Sequence, residues 1–164
     1  MNPKILVTGA SGFIGRALLP LLQDKGFSVR ATCQSGVNLV GECDKSAIEW
    51  TSMELADPGT DYGRLLNGVD AVVHLACRAH VIAGNGDVCN DYRAINIEGT
   101  ERLAMAAAKK GVDRFLFLSS VKVCGEGGEL YKNNKIHRLT ENDSPSPCDD
   151  YAQSKLEAEH AIVN

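Results

Sequence analysis

The sequence predicts an α/β chain built as a doubly wound parallel sheet. Three observations carry that expectation: a glycine-rich turn directly after an N-terminal apolar run, strands alternating with helices along the whole length, and near-continuous apolar runs of the kind a strand buried on both faces requires. With 164 residues, 44% hydrophobic and 23% charged, the chain suffices for one globular domain with a sizeable core, and 1–164 is read as a single domain.

Ile5-Leu6-Val7 forms the first strand, and Thr8-Gly9-Ala10-Ser11-Gly12-Phe13-Ile14-Gly15 turns it into a helix. Gly9 turns without a Cβ clash, Gly12 admits a pyrophosphate to the backbone, and Gly15 lets the helix pack closely on its strand. The helix N-terminus, with unpaired N–H groups and the positive dipole end, suits the diphosphate of a dinucleotide. The spacing is G-x-x-G-x-x-G, so an ordinary loop-to-helix turn remains the alternative on this stretch alone.

The helix over 12–26 places Ile14, Ala17, Leu18, Leu21 and Leu22 on one face, with a kink at Pro20 and a cap at Gly26. A second strand covers 28–33 and a third, shorter one 47–50. A short helix over 61–66 precedes the apolar run 71–76, read as a strand buried on both faces. After a loop through Gly84-Asn85-Gly86, a helix over 92–110 turns Ile95, Leu103, Ala106 and Ala107 inward and ends at Gly111. Phe115 to Leu118 is a further buried strand. A polar loop over 126–150 follows, then a helix from Tyr151 onward. In that loop Lys132, Lys135 and Arg138 are read as solvated, with a diphosphate contact as the alternative.

The net charge of −4 is spread over mixed signs with few aromatics, which argues against nucleic acid as a partner. No apolar run reaches membrane-spanning length and nothing N-terminal resembles an export signal, so a cytoplasmic protein is expected. The six cysteines form no C-x-x-C pair and are expected to stay reduced, with no metal site. His74, His137 and His160 are read as packed or solvated rather than as ligands.

Tyr151 and Lys155 stand one helical turn apart, on one face. A neighbouring ammonium favours the phenolate, so the pair is able to carry a proton to or from a sugar hydroxyl; an ordinary exposed helix face is the alternative. Ser119 and Ser120 follow the strand ending at Leu118, which places them at the ligand edge of the sheet. Ser120 is the candidate to hold a reacting oxygen, and Ser119 the one to satisfy the strand end.

Five motifs in order carry a resemblance: the glycine turn from Thr8 to Gly15, Val72-Val73-His74-Leu75-Ala76, Asn96 with Gly99-Thr100, Leu118-Ser119-Ser120, and Tyr151 with Lys155. The chain resembles the extended short-chain dehydrogenase/reductases, in the nucleotide-sugar epimerase and dehydratase branch, across nearly all its residues. That resemblance implies a Rossmann-type domain binding NAD, with NADP not excluded. It implies that Gly9, Gly12, Phe13, Ile14 and Gly15 border the diphosphate, and that Leu75, Ala76 and Cys77 line the cofactor's path. It also implies Tyr151 as acid/base, Lys155 as ribose ligand and tuner of Tyr151, Ser120 as holder of the sugar oxygen, and Asn96 as a stabiliser of loops around the cofactor.

The chain departs from the family pattern in three places. Cys33 and Gln34 occupy the end of strand two, where an acid normally accepts from the adenosine ribose, and Arg30 is a weak hint toward a 2′-phosphate. Glu54 stands in Met53-Glu54-Leu55 where an Asp usually lies near the adenine. The chain also has about half the family's usual length, and the C-terminal substrate domain is expected to be absent. The expected activity is nucleotide-sugar 4-epimerisation through a 4-keto intermediate, on a UDP-linked sugar. The alternatives are a 4-keto-sugar reductase using NAD(P)H and a non-catalytic dinucleotide-binding module. A homodimer through helices 92–110 and 151–164 is expected, with Ala104, Met105, Ala108, Leu156, Ala161 and Ile162 at the contact.

Overall fold

The computed structural model describes residues 2–34, 48–79, 88–125, 131–132, 135–136, 140 and 142–163. The Gly84-Asn85-Gly86 loop, Cys43, His137 and Arg138 lie outside the described residues, as do the side chains of Cys89, Lys132 and Lys135.

Five strands form one parallel sheet: β1 (Lys4–Thr8), β2 (Ser28–Cys33), β3 (Ile48–Ser52), β4 (Ala71–His74) and β5 (Arg114–Phe117), in the order β3-β2-β1-β4-β5. The chain builds outward from β1 to β3, then returns to the other side of β1 for β4 and β5. The switch point therefore falls between the carboxyl ends of β1 and β4, where open α/β sheets bind their ligands. Successive side chains of β1 enter different layers. Leu6 packs with Met53, Leu65, Val72 and Leu103, whereas Ile5 and Val7 pack with Leu19, Val29 and Ala31.

Helix α1 (Phe13–Asp24) continues through Pro20 and ends before Gly26, whose φ of +79° suits glycine. Its buried face differs from the expected one. Gly15 and Leu19 are buried with Leu18 and Leu22 beside them, while Ile14, Ala17 and Leu21 face outward. The reason is Gly15: a Cβ there would lie 2.6 Å from Ala10, so the closest approach of helix to sheet sets the helix's rotation.

Helix α2 (Tyr62–Leu65) is capped by Asp61, which accepts from the Arg64 N–H at 2.9 Å. The long helix expected over 92–110 is three segments: α3 (Val88–Tyr92), a π-helical stretch (Arg93–Gly99) and α4 (Thr100–Lys109). Ile95, Leu103, Ala106 and Ala107 pack inward as expected. β4 is shorter than the apolar run, and Leu75 and Ala76 lead out of the sheet as loop. β5 is an edge strand: Phe115 meets the core, whereas Leu116 is 54% exposed, contrary to a strand buried on both faces.

A 3-10 turn (Val121–Cys124), a two-strand ribbon of β6 (Tyr131–Lys132) and β7 (Lys135–Ile136), and helix α5 (Asp150–Val163) complete the described chain. No helix among the described residues is long and apolar enough to cross a membrane. Cys33, Cys77, Cys124 and Cys148 are free thiols, and no metal-holding group of His, Cys, Asp or Glu occurs among the described residues.

Candidate active site

The glycine turn lies at the switch point. Gly9 has φ +65°, and a Cβ on it would lie 2.7 Å from the Ala76 nitrogen, so backbone from β1 and β4 meets there without room for a side chain. Gly12 caps α1 with no side-chain hydrogen bond and stands exposed, leaving the helix N-terminus open toward an anion.

Beneath the turn lies a buried hydrogen-bond chain. Thr8 Oγ1 accepts from the Leu75 and Ala76 N–H groups, both at 3.2 Å, which occupies its two lone pairs. Its own O–H must therefore donate to His74 Nδ1, 2.6 Å away, and Nε2–H of the ring donates to Thr100 Oγ1 at 2.9 Å. This fixes one tautomer of a neutral ring. Burial, then the Lys155 charge, lowers the His74 pKa to about 3. The unfolded chain, titrating near the ordinary value of 6.5, binds the proton more readily, so stability is full above pH 6.5 and falls as the pH drops toward 3. Urea titrations at pH 7.5, 6 and 5 should show a loss approaching about 1.4 kcal/mol per pH unit that is absent in His74→Gln.

A crevice of about 370 Å³ opens over the carboxyl ends of the strands. Of the residues expected along the cofactor, Gly9, Gly12, Glu54, Leu75, Ala76 and Cys77 line it. Phe13 and Ile14 do not: their side chains project to solvent from the first turn of α1, Phe13 being 93% exposed. Gly15 lies beneath the turn, against Ala10. Asn96 is buried behind the wall, where its amide accepts from the Arg78 N–H at 2.8 Å and donates to the Arg78 carbonyl at 3.0 Å and to Ser154 Oγ at 2.9 Å. Ser154 in turn donates to the Tyr151 carbonyl at 2.7 Å. Asn96 thus ties the loop after β4 to α5.

Ser120 caps the 3-10 turn, accepting from the Lys122 N–H at 3.3 Å. Lys122 Nζ reaches Asp149 at 2.6 Å, and Asp149 accepts from the Ala152 N–H at 2.6 Å at the start of α5. That clamp holds the Ser120 turn against the first turn of α5, where Tyr151 lies, and Lys122 holds the Asp149 carboxyl below its ordinary range. Ser119 differs from expectation. It donates to Glu159 of α5 instead of satisfying the strand end, because the side chain emerges toward the helix packed on that edge.

Tyr151 stacks at a tilt on Tyr92, with centroids 6.1 Å apart, and its phenol lies close enough to Ser120 and Cys77 for both to act on its titration. Lys155 is 2% exposed, its ammonium 3.9 Å from the Phe117 ring centroid. The expected tuning is reversed. Burial, then the Cys77 charge, pushes the Tyr151 phenol up, outweighing the opposite effect of Ser120, and burial lowers Lys155 itself. The structure brings Ser120, Tyr151, Lys155 and Cys77 into one cluster at the edge of the crevice.

Sequence reasoning missed Thr32, a buried residue of the crevice wall whose hydroxyl has no hydrogen-bond partner. An open helix N-terminus and, among the crevice residues, this orphaned hydroxyl fit the diphosphate and adenosine of a dinucleotide.

A five-stranded parallel sheet wound about a glycine turn at its switch point defines a Rossmann-type protein. The chain belongs to the NAD dependent epimerase/dehydratase family, whose model matches residues 5–164. A UDP-glucose 4-epimerase of Vibrio cholerae is 36% identical over 168 residues, covering 99% of this chain and 47% of that protein. Among solved structures, MoeE5 in complex with UDP-glucose and NAD superposes with a TM-score of 0.78 at 27% identity, covering 98% of this chain and 48% of that one. The UDP-glucuronic acid 4-epimerase of Bacillus cereus in complex with NAD gives 0.76 at 28%, covering 98% and 51%. The chain spans about half the length of these relatives.

Proposed function

We propose that the chain supplies the dinucleotide site and the proton carrier of a nucleotide-sugar 4-epimerase acting on a UDP-linked sugar. The observation that carries this reading is the cluster of Tyr151, Ser120 and Lys155 held beside a glycine-turn crevice. In that role the N-terminus of α1 holds the diphosphate, while Leu75, Ala76 and Cys77 border the path from adenosine to the reacting end. Bound NAD supplies a hydride acceptor and donor.

Tyr151 would accept the proton of the C4 hydroxyl as the sugar is oxidised to its 4-keto form, and would return it to the oxygen when the opposite C4 configuration forms. Ser120, beside the phenol, holds the same oxygen. Lys155, seated on Phe117 one turn along α5, holds the nicotinamide ribose. Asn96 keeps the wall around Arg78 in register with α5 through Ser154.

Calorimetry of the chain with NAD, and proton NMR of UDP-glucose incubated with NAD and a form of the protein carried to its relatives' length, test this reading. Saturable NAD binding and appearance of the C4 epimer are expected; no dinucleotide binding would overturn it.

A homodimer through α4 and α5 belongs to the same proposal. Met105 and Ala108 are exposed on α4, and Ala104, Leu156, Ala161 and Ile162 are half-buried alongside. Sedimentation equilibrium is expected to give a dimer at high micromolar concentration, weakened in Met105→Glu; a monomer throughout would contradict it.

A further inference from the structure

Helix α5 carries Tyr151 and Lys155, yet the face it buries offers little to fix its position: the buried residues are Ala152, Ser154, Lys155 and Ala158. With no large apolar side chain to seat in a groove, packing alone sets the register of such a helix weakly. We propose that Glu159, held by Ser119, is a positioning residue that sets Lys155 for its contact with the dinucleotide. The inference rests on the ribose role proposed above for Lys155.

Two contacts join α5 to the chain leaving β5, and they run in step. Phe117 meets Lys155, whose ammonium lies 3.9 Å from the ring centroid, and Ser119 donates through Oγ to Glu159 Oε1. Phe117 and Ser119 stand two residues apart, and Lys155 and Glu159 one helical turn apart, so the two contacts together fix both the slide and the rotation of the helix. Polar contacts also hold the first turns of α5: Asp149 accepts from the Ala152 N–H at 2.6 Å, and Asn96 donates to Ser154 Oγ at 2.9 Å. Lys155 thus lies between two anchored segments, and the Ser119–Glu159 bond is the anchor on its C-terminal side.

A carboxylate suits this place in two ways. It accepts from a hydroxyl more strongly than a neutral group does. It also stands near the ammonium: burial lowers Lys155, while the Cys77 and then the Glu159 charge act against that lowering. Ser119 and Glu159 are both half-buried, so their bond is partly shielded from competing water. Ser119 directly precedes Ser120, the cap of the 3-10 turn, so the same bond ties that turn to α5.

Calorimetry of the 164-residue chain with NAD tests the assignment on Ser119→Ala, Glu159→Ala and Glu159→Gln, and on Glu159→Ala combined with Lys155→Met. Ser119→Ala and Glu159→Ala are each expected to weaken NAD binding about tenfold, the scale of a lost hydrogen bond to a charged group. Glu159→Gln still accepts from Ser119 and should stay within about threefold of wild type. In a Lys155→Met background, adding Glu159→Ala should change NAD affinity by less than about twofold, because Glu159 acts through Lys155. A further loss of about tenfold in that background would make Glu159 a general support of the fold and overturn the inference. Unchanged affinity in both alanine variants, or a Glu159→Gln variant as weak as Glu159→Ala, would overturn it too. NAD affinity unaffected by Lys155→Met overturns the ribose role, and a wild-type chain that binds no NAD overturns the dinucleotide reading, each taking the inference with it.

Discussion

Replacing Tyr151 by Phe is expected to lower turnover about a hundredfold or more while leaving NAD affinity within about twofold. The phenyl ring keeps its tilted contact with Tyr92, and α5 keeps its cap at Asp149, so the fold around the site is preserved. What disappears is the oxygen beside Ser120 and Cys77, the proposed proton carrier. Turnover is measured in a form of the protein carried to its relatives' length, and affinity by calorimetry on the same preparation. Near-normal turnover in Tyr151→Phe would remove Tyr151 from the mechanism. A parallel loss of NAD affinity would make its role one of binding rather than of proton transfer.

The second large effect is at the glycine turn, where two substitutions separate binding from folding. Gly12→Val is expected to weaken NAD binding about a hundredfold or more, or about 2.7 kcal/mol. The Gly12 backbone, at φ −75° and ψ 174°, is one that any residue adopts, and the position is exposed; a Cβ there would lie 3.1 Å from the Gly9 carbonyl, a tight contact whose cost the unfolding data measure, while the branched side chain fills the space before α1. Gly9→Ala acts on the fold itself. Its positive φ and the backbone contact with Ala76 at 2.7 Å are expected to cost about 2–4 kcal/mol of stability. Urea unfolding and NAD calorimetry on both variants give the comparison. Unchanged affinity in Gly12→Val would place the diphosphate elsewhere.

The sheet was legible because its strands are apolar runs set between turn signals, and the β1 run and glycine turn stand where the sequence puts them. The face of α1 was not. Ile14 and Leu21 obey helical spacing yet lie outside, since the contact of Gly15 with Ala10 and not apolar content orients that helix. Within the site, Ser120, Tyr151 and Lys155 come together, as their types, spacing and the family resemblance lead one to expect, and their roles belong to the proposal. The chain Thr8–His74–Thr100 was not, because it needs β1 and β4 to be neighbours, which only the strand order supplies.

Thr32 carries no signal beyond residue type, and its place in the crevice wall comes from burial. The pKa of Tyr151 was misjudged for the same reason. Spacing puts Lys155 near it, but burial acts on both groups and Cys77 adds to the rise. One signal was available for Ser154: it lies one turn from Tyr151 and from Ala158, on the face that meets the Asn96 segment.

The proposed function has Tyr151 move only the hydroxyl proton, so that the hydrogen carried on C4 never exchanges with solvent. Its most direct test is the isotopic content of C4 in product made in D₂O from a UDP-hexose and NAD, by a form of the protein carried to its relatives' length. The prediction is a C4-epimerised product that retains protium at C4, with no net change in NADH. Deuterium at C4, or NADH consumed in step with product, would contradict it.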